Sequence, residues 1–463
     1  ALDGRVGEVE DRTAELQAAY DRLAADHAAL EAAHAQLQAD YAALEARVAE
    51  VEDSAVWYIG ESVTYDIPGD FGSLDEAMSW LARYRISTDA IVTLQLGPGT
   101  HTMTETLVVQ HPNAQNIEIV GNVAAPASVV LEAAPGSAAE GGLIHAGHGV
   151  YLGAVRGLTL ASSNTGAGNA MLAFENGGIG VAEKVRVEGF VYGAQATTSG
   201  TIVAPGIVTD GTGYGLLASH GGYLRADDAR VVMAGTDVGV GLYAVDGGVL
   251  VSIGGRSTNG QYGALATRNS LVHADDAIFT APSKFGVYAQ YGSHVRVDGA
   301  TVTGMGSDST YGYLAQFNAS VSAGSSTLSS PVTWGYRAAY TSSIAAAYAI
   351  ANRADVYNTF AADYGSSVYV PYATGRATHL GYYAQASSIN AFNSSSSGGD
   401  YGYYAYGNAF LEASDSVASG AGSYGFYSGY SSIVDRSGGS GTALPAAAST
   451  AGANSNNFYS YVR

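Results

Sequence analysis

The sequence predicts a mainly β chain: a right-handed parallel β-helix, a solenoid of about 23 residues per coil, preceded by a long N-terminal α-helical coiled coil and assembled as a homotrimer. Three observations carry this. An apolar heptad runs unbroken through residues 2–52. A Tyr-Gly-x-x-Ala-like unit recurs at spacings of 21 to 26 residues over the C-terminal half. Gly (61) and Tyr (33) are abundant, while only 13% of residues are charged, about half the usual share.

The N-terminal segment, residues 1–53, reads as the stem. The d positions are Leu2, Val9, Leu16, Leu23, Leu30, Leu37, Leu44 and Val51, and the a positions are Val6, Thr13, Tyr20, His27, His34, Tyr41 and Val48. Steps of four and three keep one seam facing a partner. At ~1.5 Å per residue the rod is about 75 Å long, and it cannot bury that seam alone. Ala19, Ala24 and Ala33 at e and g widen the apolar face and favour three strands over two. Leu16, Tyr20, Leu23, His27, Leu30, His34, Leu37, Tyr41 and Leu44 are the expected trimer interface. His27 and His34 admit a metal or pH-switch reading, but stacked core layers are the ordinary one and the one favoured; no metal site and no cofactor is expected.

Residues 54–121 read as a cap and first strands. Residues 56–65 are strand-like, and Ser73-Leu74-Asp75-Glu76 is a capping box. It opens an amphipathic helix carrying Ala77, Met78, Trp80, Leu81 and Tyr84. Strands follow at 91–96 and 106–109, separated by the Gly97-Pro98-Gly99 turn, and at 116–120. Such a helix suits the end of a solenoid, where the first coil would otherwise expose its core.

Residues 122–445 read as the repeats, Tyr/Ser/Gly-rich distally, with 446–463 as a tail. The units begin at Tyr214-Gly215, Val240-Gly241, Tyr262-Gly263, Phe285-Gly286, Tyr311-Gly312, Trp334-Gly335, Tyr357-Asn358, Leu380-Gly381, Tyr401-Gly402 and Tyr424-Gly425. Three short strands per unit match one coil, and coils stacked at ~4.8 Å give a shaft of about 70 Å. The fifth position is small nearly everywhere, from Ala218 through Ala361 to Ser428, which suits an inward place. The fourth (Leu217, Tyr243, Leu265, Tyr288, Leu314, Arg337, Phe360, Tyr383, Tyr404, Tyr427) then points outward, where a neighbouring subunit is expected to cover it. Arg337 would be costly inside.

Composition bounds the function. A net charge of −21 excludes a strongly basic nucleic-acid binder and disfavours attraction to anionic membranes. No apolar run reaches the ~18 residues that span a bilayer. The absence of Cys excludes disulfides and thiolate chemistry. The chain opens at Ala1 without Met or a secretory signal, as expected of a fragment or processed form.

Glycan cleavage would need paired carboxylates. Asp227, Asp228, Asp275, Asp276 and Asp298 recur at one repeat offset, with Arg225 and His273 close by, and are the weak catalytic candidates. Asp-Asp-Ala also reads as turn chemistry, in which Asp bonds local amides, and that reading is favoured. Binding has the stronger compositional case. Tyr364, Tyr369, Tyr372, Tyr382, Tyr403, Tyr406 and Tyr430 are candidates to stack on sugar rings, and Arg376 and His379 to pair with acidic sugars.

A coiled-coil stem, a pectate-lyase-like capped β-helix and tandem Tyr-Gly-x-Tyr-Ala coils together resemble bacteriophage tail fibres and tailspikes. The stretch from Trp57 to Gly121, with its Gly97-Pro98-Gly99-Thr100-His101 turn, looks like the start of β-helix domains in such proteins. The resemblance implies a parallel homotrimer in the virion tail, extracellular when mature. Its stem would join other tail or baseplate proteins, and it would bind a host-surface glycan or protein. Some members cleave the glycan, so a depolymerase is the alternative, and a structural bacterial surface filament is another. The leading expectation is a receptor-binding appendage that is not itself an enzyme.

Overall fold

The computed structural model describes residues 2–53, 57–163, 167–173, 177–235, 239–305, 311–329, 332–352, 356, 358–438, 440–441 and 461–462, with helix side chains described over 12–45. Helix α1 spans Leu2–Asp53. Its described seam is bare in the single chain: Leu16, Leu23, Leu30, Leu37 and Leu44 are 56–71% exposed, as are Tyr20 and Tyr41 between those limits. Its polar flank is laced by i,i+4 contacts, Gln17 to Asp21, Gln36 to Asp40 and His27 with Glu31.

The described residues of 59–82 and from 86 onward form a right-handed-type parallel β-solenoid of about 15 turns and about 23 residues per turn. Each coil contributes one strand to each of three parallel ladders. Sheet I, with six-residue strands over most of its length, runs from Leu107–Val109 to Tyr424–Gly429. Sheet II runs from Val63–Ile67 to Ile433–Asp435, and Tyr461–Val462 pairs beyond it. Sheet III runs from Gly99–Met103 to Ser440–Gly441. The strand at Gly99–Met103 is absent from the sequence reading, because its Gly-Thr-His-Thr composition looks like turn. The capping box forms: Ser73 Oγ accepts from the Glu76 amide at 3.1 Å, and Glu76 accepts from the Gly72 amide at 2.8 Å. The helix it opens, α2, ends at Leu81 and buries Leu74, Ala77 and Leu81, while Tyr84 starts a strand instead.

In sheet I the third and fifth residues of each unit point inward. Tyr313, Tyr336, Phe360, Tyr382 and Tyr403 are fully buried third residues, stacked in one column at 4.4–4.9 Å. Their hydroxyls reach the coil interior, Tyr382 to the Ala373 carbonyl at 2.9 Å and Tyr403 to Ser394 Oγ at 3.0 Å. Room for these rings comes from sheet III, whose central residues shrink from Phe279, Val302 and Leu328 to Ala351, Gly375, Ser396 and Ala418 over the same coils.

Ladder register corrects one unit. Tyr357 lies outside the described residues, and Asn358, not Tyr357, stands opposite Trp334 and Leu380. Phe360 is therefore an inward third residue, Ala361 the fourth and Ala362 the fifth. A second expectation is also revised. Leu217, Leu265, Tyr288 and Leu314 on the outer face are already buried within one chain; the last three form a cluster with Val240 against which Tyr214, Tyr243, Tyr262, Phe285 and Tyr311 pack. No neighbouring subunit is needed there.

The turn from sheet I to sheet II is two residues in left-handed conformation. Its second position is Gly or Asn in most coils, as at Gly292, Asn318 and Gly365. Its first position carries Tyr291, Phe317, Tyr340 and Tyr364, with φ of 51–57°.

Candidate functional site

The aspartate ladder falls in the turn from sheet II to sheet III. Asp227 Oδ1 accepts from the Ile253 amide, Asp275 Oδ1 from the Asp298 amide and Asp298 Oδ1 from the Gly324 amide, at 2.7–3.2 Å. Each carboxylate thus fastens the equivalent turn of the next coil. Their other oxygens are held by Arg225, by His273 with Arg296, and by Arg296 respectively. Asp228 and Asp276 sit in left-handed conformation and overhang Gly254 and Gly299 of the next coil, where a Cβ would come within 2.6 and 2.2 Å of the carboxylate. All five candidates thus stand in the II–III turn, where Asp has an ordinary local use.

The expected binding residues do not converge. Residues 358–379 run once round the solenoid, so Tyr364 lies at the I–II turn, Tyr369 on sheet II, Tyr372 at the II–III turn, Arg376 at the end of a sheet III strand and His379 before sheet I. Tyr382 and Tyr403 are corrections: both are fully buried in the column described above and present nothing to a ligand. Tyr406 packs edge-on against Tyr430, three coils beyond Tyr364 on the same edge.

Two outer surfaces among the described residues of the distal coils carry stacked aromatic rings. The first is the I–II edge, where Tyr291, Phe317, Tyr340 and Tyr364 stack at 5.0–5.3 Å and stay 37–51% exposed. The adjoining face of sheet II has small residues, Ser320, Ser322, Ser343, Ala345 and Ser367. Tyr348 and Tyr372, stacked at 4.9 Å, bound it on the other side.

The second is a cleft of about 420 Å³ on the outer face of sheet I, lined by Trp334, Asn358, His379, Leu380, Tyr383, Tyr401 and Tyr404. That volume lies within the usual range for small-molecule sites, ~300–1,000 Å³. Its origin is a gap in two aromatic ladders. First positions read Tyr262, Phe285, Tyr311, Trp334, then Asn358 and Leu380, then Tyr401 and Tyr424. Fourth positions read Leu314, Arg337, then Ala361, then Tyr383, Tyr404 and Tyr427. Where Asn358 and Ala361 stand, both ladders lose their bulk in one coil, and Leu380 extends the first-position gap into the next.

Each side of the gap is braced. Arg337 lies 4.4 Å from the Trp334 ring centroid, pairs with Asp363 at 2.6 Å and donates to Tyr311 Oη at 2.8 Å. Burial raises the Asp363 carboxyl above its ordinary range, and Arg337 opposes that rise. Tyr383 donates to Gln385 at 2.6 Å, and Tyr404 stacks on Tyr427 at 4.8 Å. Burial pushes both phenols up to about 12, so they are neutral donors at pH 7. At the rim His379 Nδ1 meets Asp400 Oδ2 at 2.6 Å, and the Asp400 side chain is half exposed. Asn358 is 2% exposed, and its Oδ1 has no hydrogen-bond partner among the described residues. Of the expected binding residues, His379 alone lines the cleft. The signal for the rest was the aromatic-to-Asn change at 358, hidden by the one-residue misregister.

No known protein family matches the chain, and no curated protein does. Among solved structures the chain is similar to the catalytic domain of a GH87 alpha-1,3-glucanase in complex with tetrasaccharides, at 14% identity and a TM-score of 0.33, over 83% of this chain and 69% of that one.

Proposed function

We propose that the chain is the shaft and receptor-binding region of a trimeric tail fibre or related appendage of a bacteriophage, attaching the virion to a host-surface glycan. The observation that carries this is the aromatic outer surface of the distal coils: a cleft walled by Trp334, Tyr383, Tyr401 and Tyr404, and an exposed stacked edge ending at Tyr364. Flat rings with few rotamers bind sugar faces at low entropic cost. The trimer is supported by the bare seam of α1, whose leucines have no cover in one chain. Other tail or baseplate proteins would engage the stem, and three copies would multiply weak contacts into avidity.

The test is to incubate the labelled protein with candidate host cells and their capsular or lipopolysaccharide extracts, and to record binding together with release of reducing or unsaturated sugar ends. Binding without release is expected. Release would instead make the chain a depolymerase. Absence of binding to every host, with the protein found on uninfected cells, would make it a surface filament.

A further inference from the structure

Resting on the glycan-binding reading, we infer that the cleft selects a neutral, hydroxyl-rich sugar residue over an acidic one, with Trp334 as the stacking platform, Asn358 as the buried polar anchor and Asp400 as the charge that rejects anions.

The argument starts from charge. Arg337, the cation beside the cleft, is committed to Asp363 and to the Trp334 ring, so it has no free charge to offer a carboxylated sugar. His379 is paired with Asp400, whose half-exposed carboxylate stands at the rim. The Asp400 carboxylate, held by His379 through Oδ2, is the more exposed partner of that pair, so the rim presents a group that repels an anion and accepts hydrogen bonds from hydroxyls. Asn358 supplies the second observation. A nearly fully buried amide oxygen without a partner is costly, and a ring hydroxyl or acetamido N–H entering the cleft can meet the Asn358 amide. The walls are aromatic, as a pyranose face requires. Arg337 acts as a positioning residue: it lies against the Trp334 ring and is itself fixed by Asp363 and Tyr311.

Calorimetric titration of the full chain tests this, using a set of neutral hexose and N-acetylhexosamine tetrasaccharides and the corresponding uronate oligomers as probes. At least one neutral tetrasaccharide is expected to bind, and every uronate to bind at least about tenfold more weakly, a 1.4 kcal/mol difference. Asn358→Tyr puts back the aromatic that the ladder carries at 311, 334 and 401; it should abolish neutral-sugar binding while leaving the melting temperature equal or higher. Trp334→Ala should weaken binding about tenfold or more, the usual effect of removing a buried aromatic anchor. Asp400→Asn should narrow the neutral-over-acidic preference. Tighter binding of uronates, full affinity in Asn358→Tyr, or no binding of any neutral sugar would each overturn the inference. Cells bound normally by a protein that ignores neutral sugars would sink this inference and spare the proposed function. Neutral sugars bound in the cleft by a protein that attaches to no host would do the reverse.

Discussion

Arg337 shows how one residue can be settled by elimination. Its position in the unit points outward, yet its side chain is only 17% exposed, and Asp363 beneath it is 2% exposed. Such a pair does not need to stabilise the fold to be hard to break. Removing Arg337 alone strands a buried carboxylate, and Arg337→Leu should lower stability by about 3–5 kcal/mol in urea denaturation, whereas Arg337→Leu with Asp363→Leu should come close to wild type. Equal loss in both variants would refute that account. His294 is a second residue with a measurable signature. Burial, and secondarily Arg296, holds its pKa below the ordinary histidine value, with Asp298 opposing. The unfolded chain therefore takes up a proton near pH 6.5 that the folded chain refuses until lower pH. Stability is full above that range and falls as pH drops through it. His294→Gln should flatten the decline in melting temperature between pH 7 and pH 5; an unchanged slope would exclude the assignment. At this scale the sequence reading was uneven. The sequence favours a turn role for Asp227 and Asp275 over a catalytic one, and both bond amides of the II–III turn of the next coil. Tyr382 and Tyr403 were placed outside because composition does not say which face of a strand a Tyr occupies.

Elements in this chain are defined against each other across the coil. Sheet I widens from Leu, Val and Ala to Tyr and Phe as sheet III narrows to Ala, Gly and Ser, so the interior stays filled. The coil at 358 makes the exchange most visible. Thr359 takes the place Gly holds in other units, and Gly375 faces it; a Cβ on Gly375 would lie 2.9 Å from Thr359 Cγ2 and 3.3 Å from Phe360 Cε2. Gly375→Val should therefore cost about 1–3 kcal/mol by overpacking, read as a lower melting temperature. Pairing it with Thr359→Gly should recover part of that loss; no recovery would mean the two positions do not compensate. This trade was invisible in the sequence because it joins residues 16 apart with no shared periodicity. The repeat itself was legible, since Tyr-Gly spacing records the coil length directly. Its one error, the unit at 357, arose where Asn and Thr replaced the marker pair.

At the scale of the whole molecule, the helix and the solenoid make separate predictions. The seam of α1 should bring three chains together, so light scattering should report three times the chain mass of 47.2 kDa. Leu30→Glu, in mid-seam, should reduce that to one, because a charge in the heptad core meets its own copies. A monomer from the unaltered chain would remove the trimer from the proposal. In the solenoid, by contrast, the outer apolar stripe is covered within the chain over coils 240–314, so the β-region should stay folded and soluble once the stem is opened.

The gap at Asn358 has a consequence for how such a surface changes over generations. A cleft made where Asn358, Leu380 and Ala361 stand in place of larger rings needs no new loop. A few codons open or close it, and duplication or loss of a coil slides it along the axis in steps of ~4.8 Å. Ligand preference in such a protein would then drift by vacancy, through which coil is left unfilled, rather than by rebuilding the scaffold.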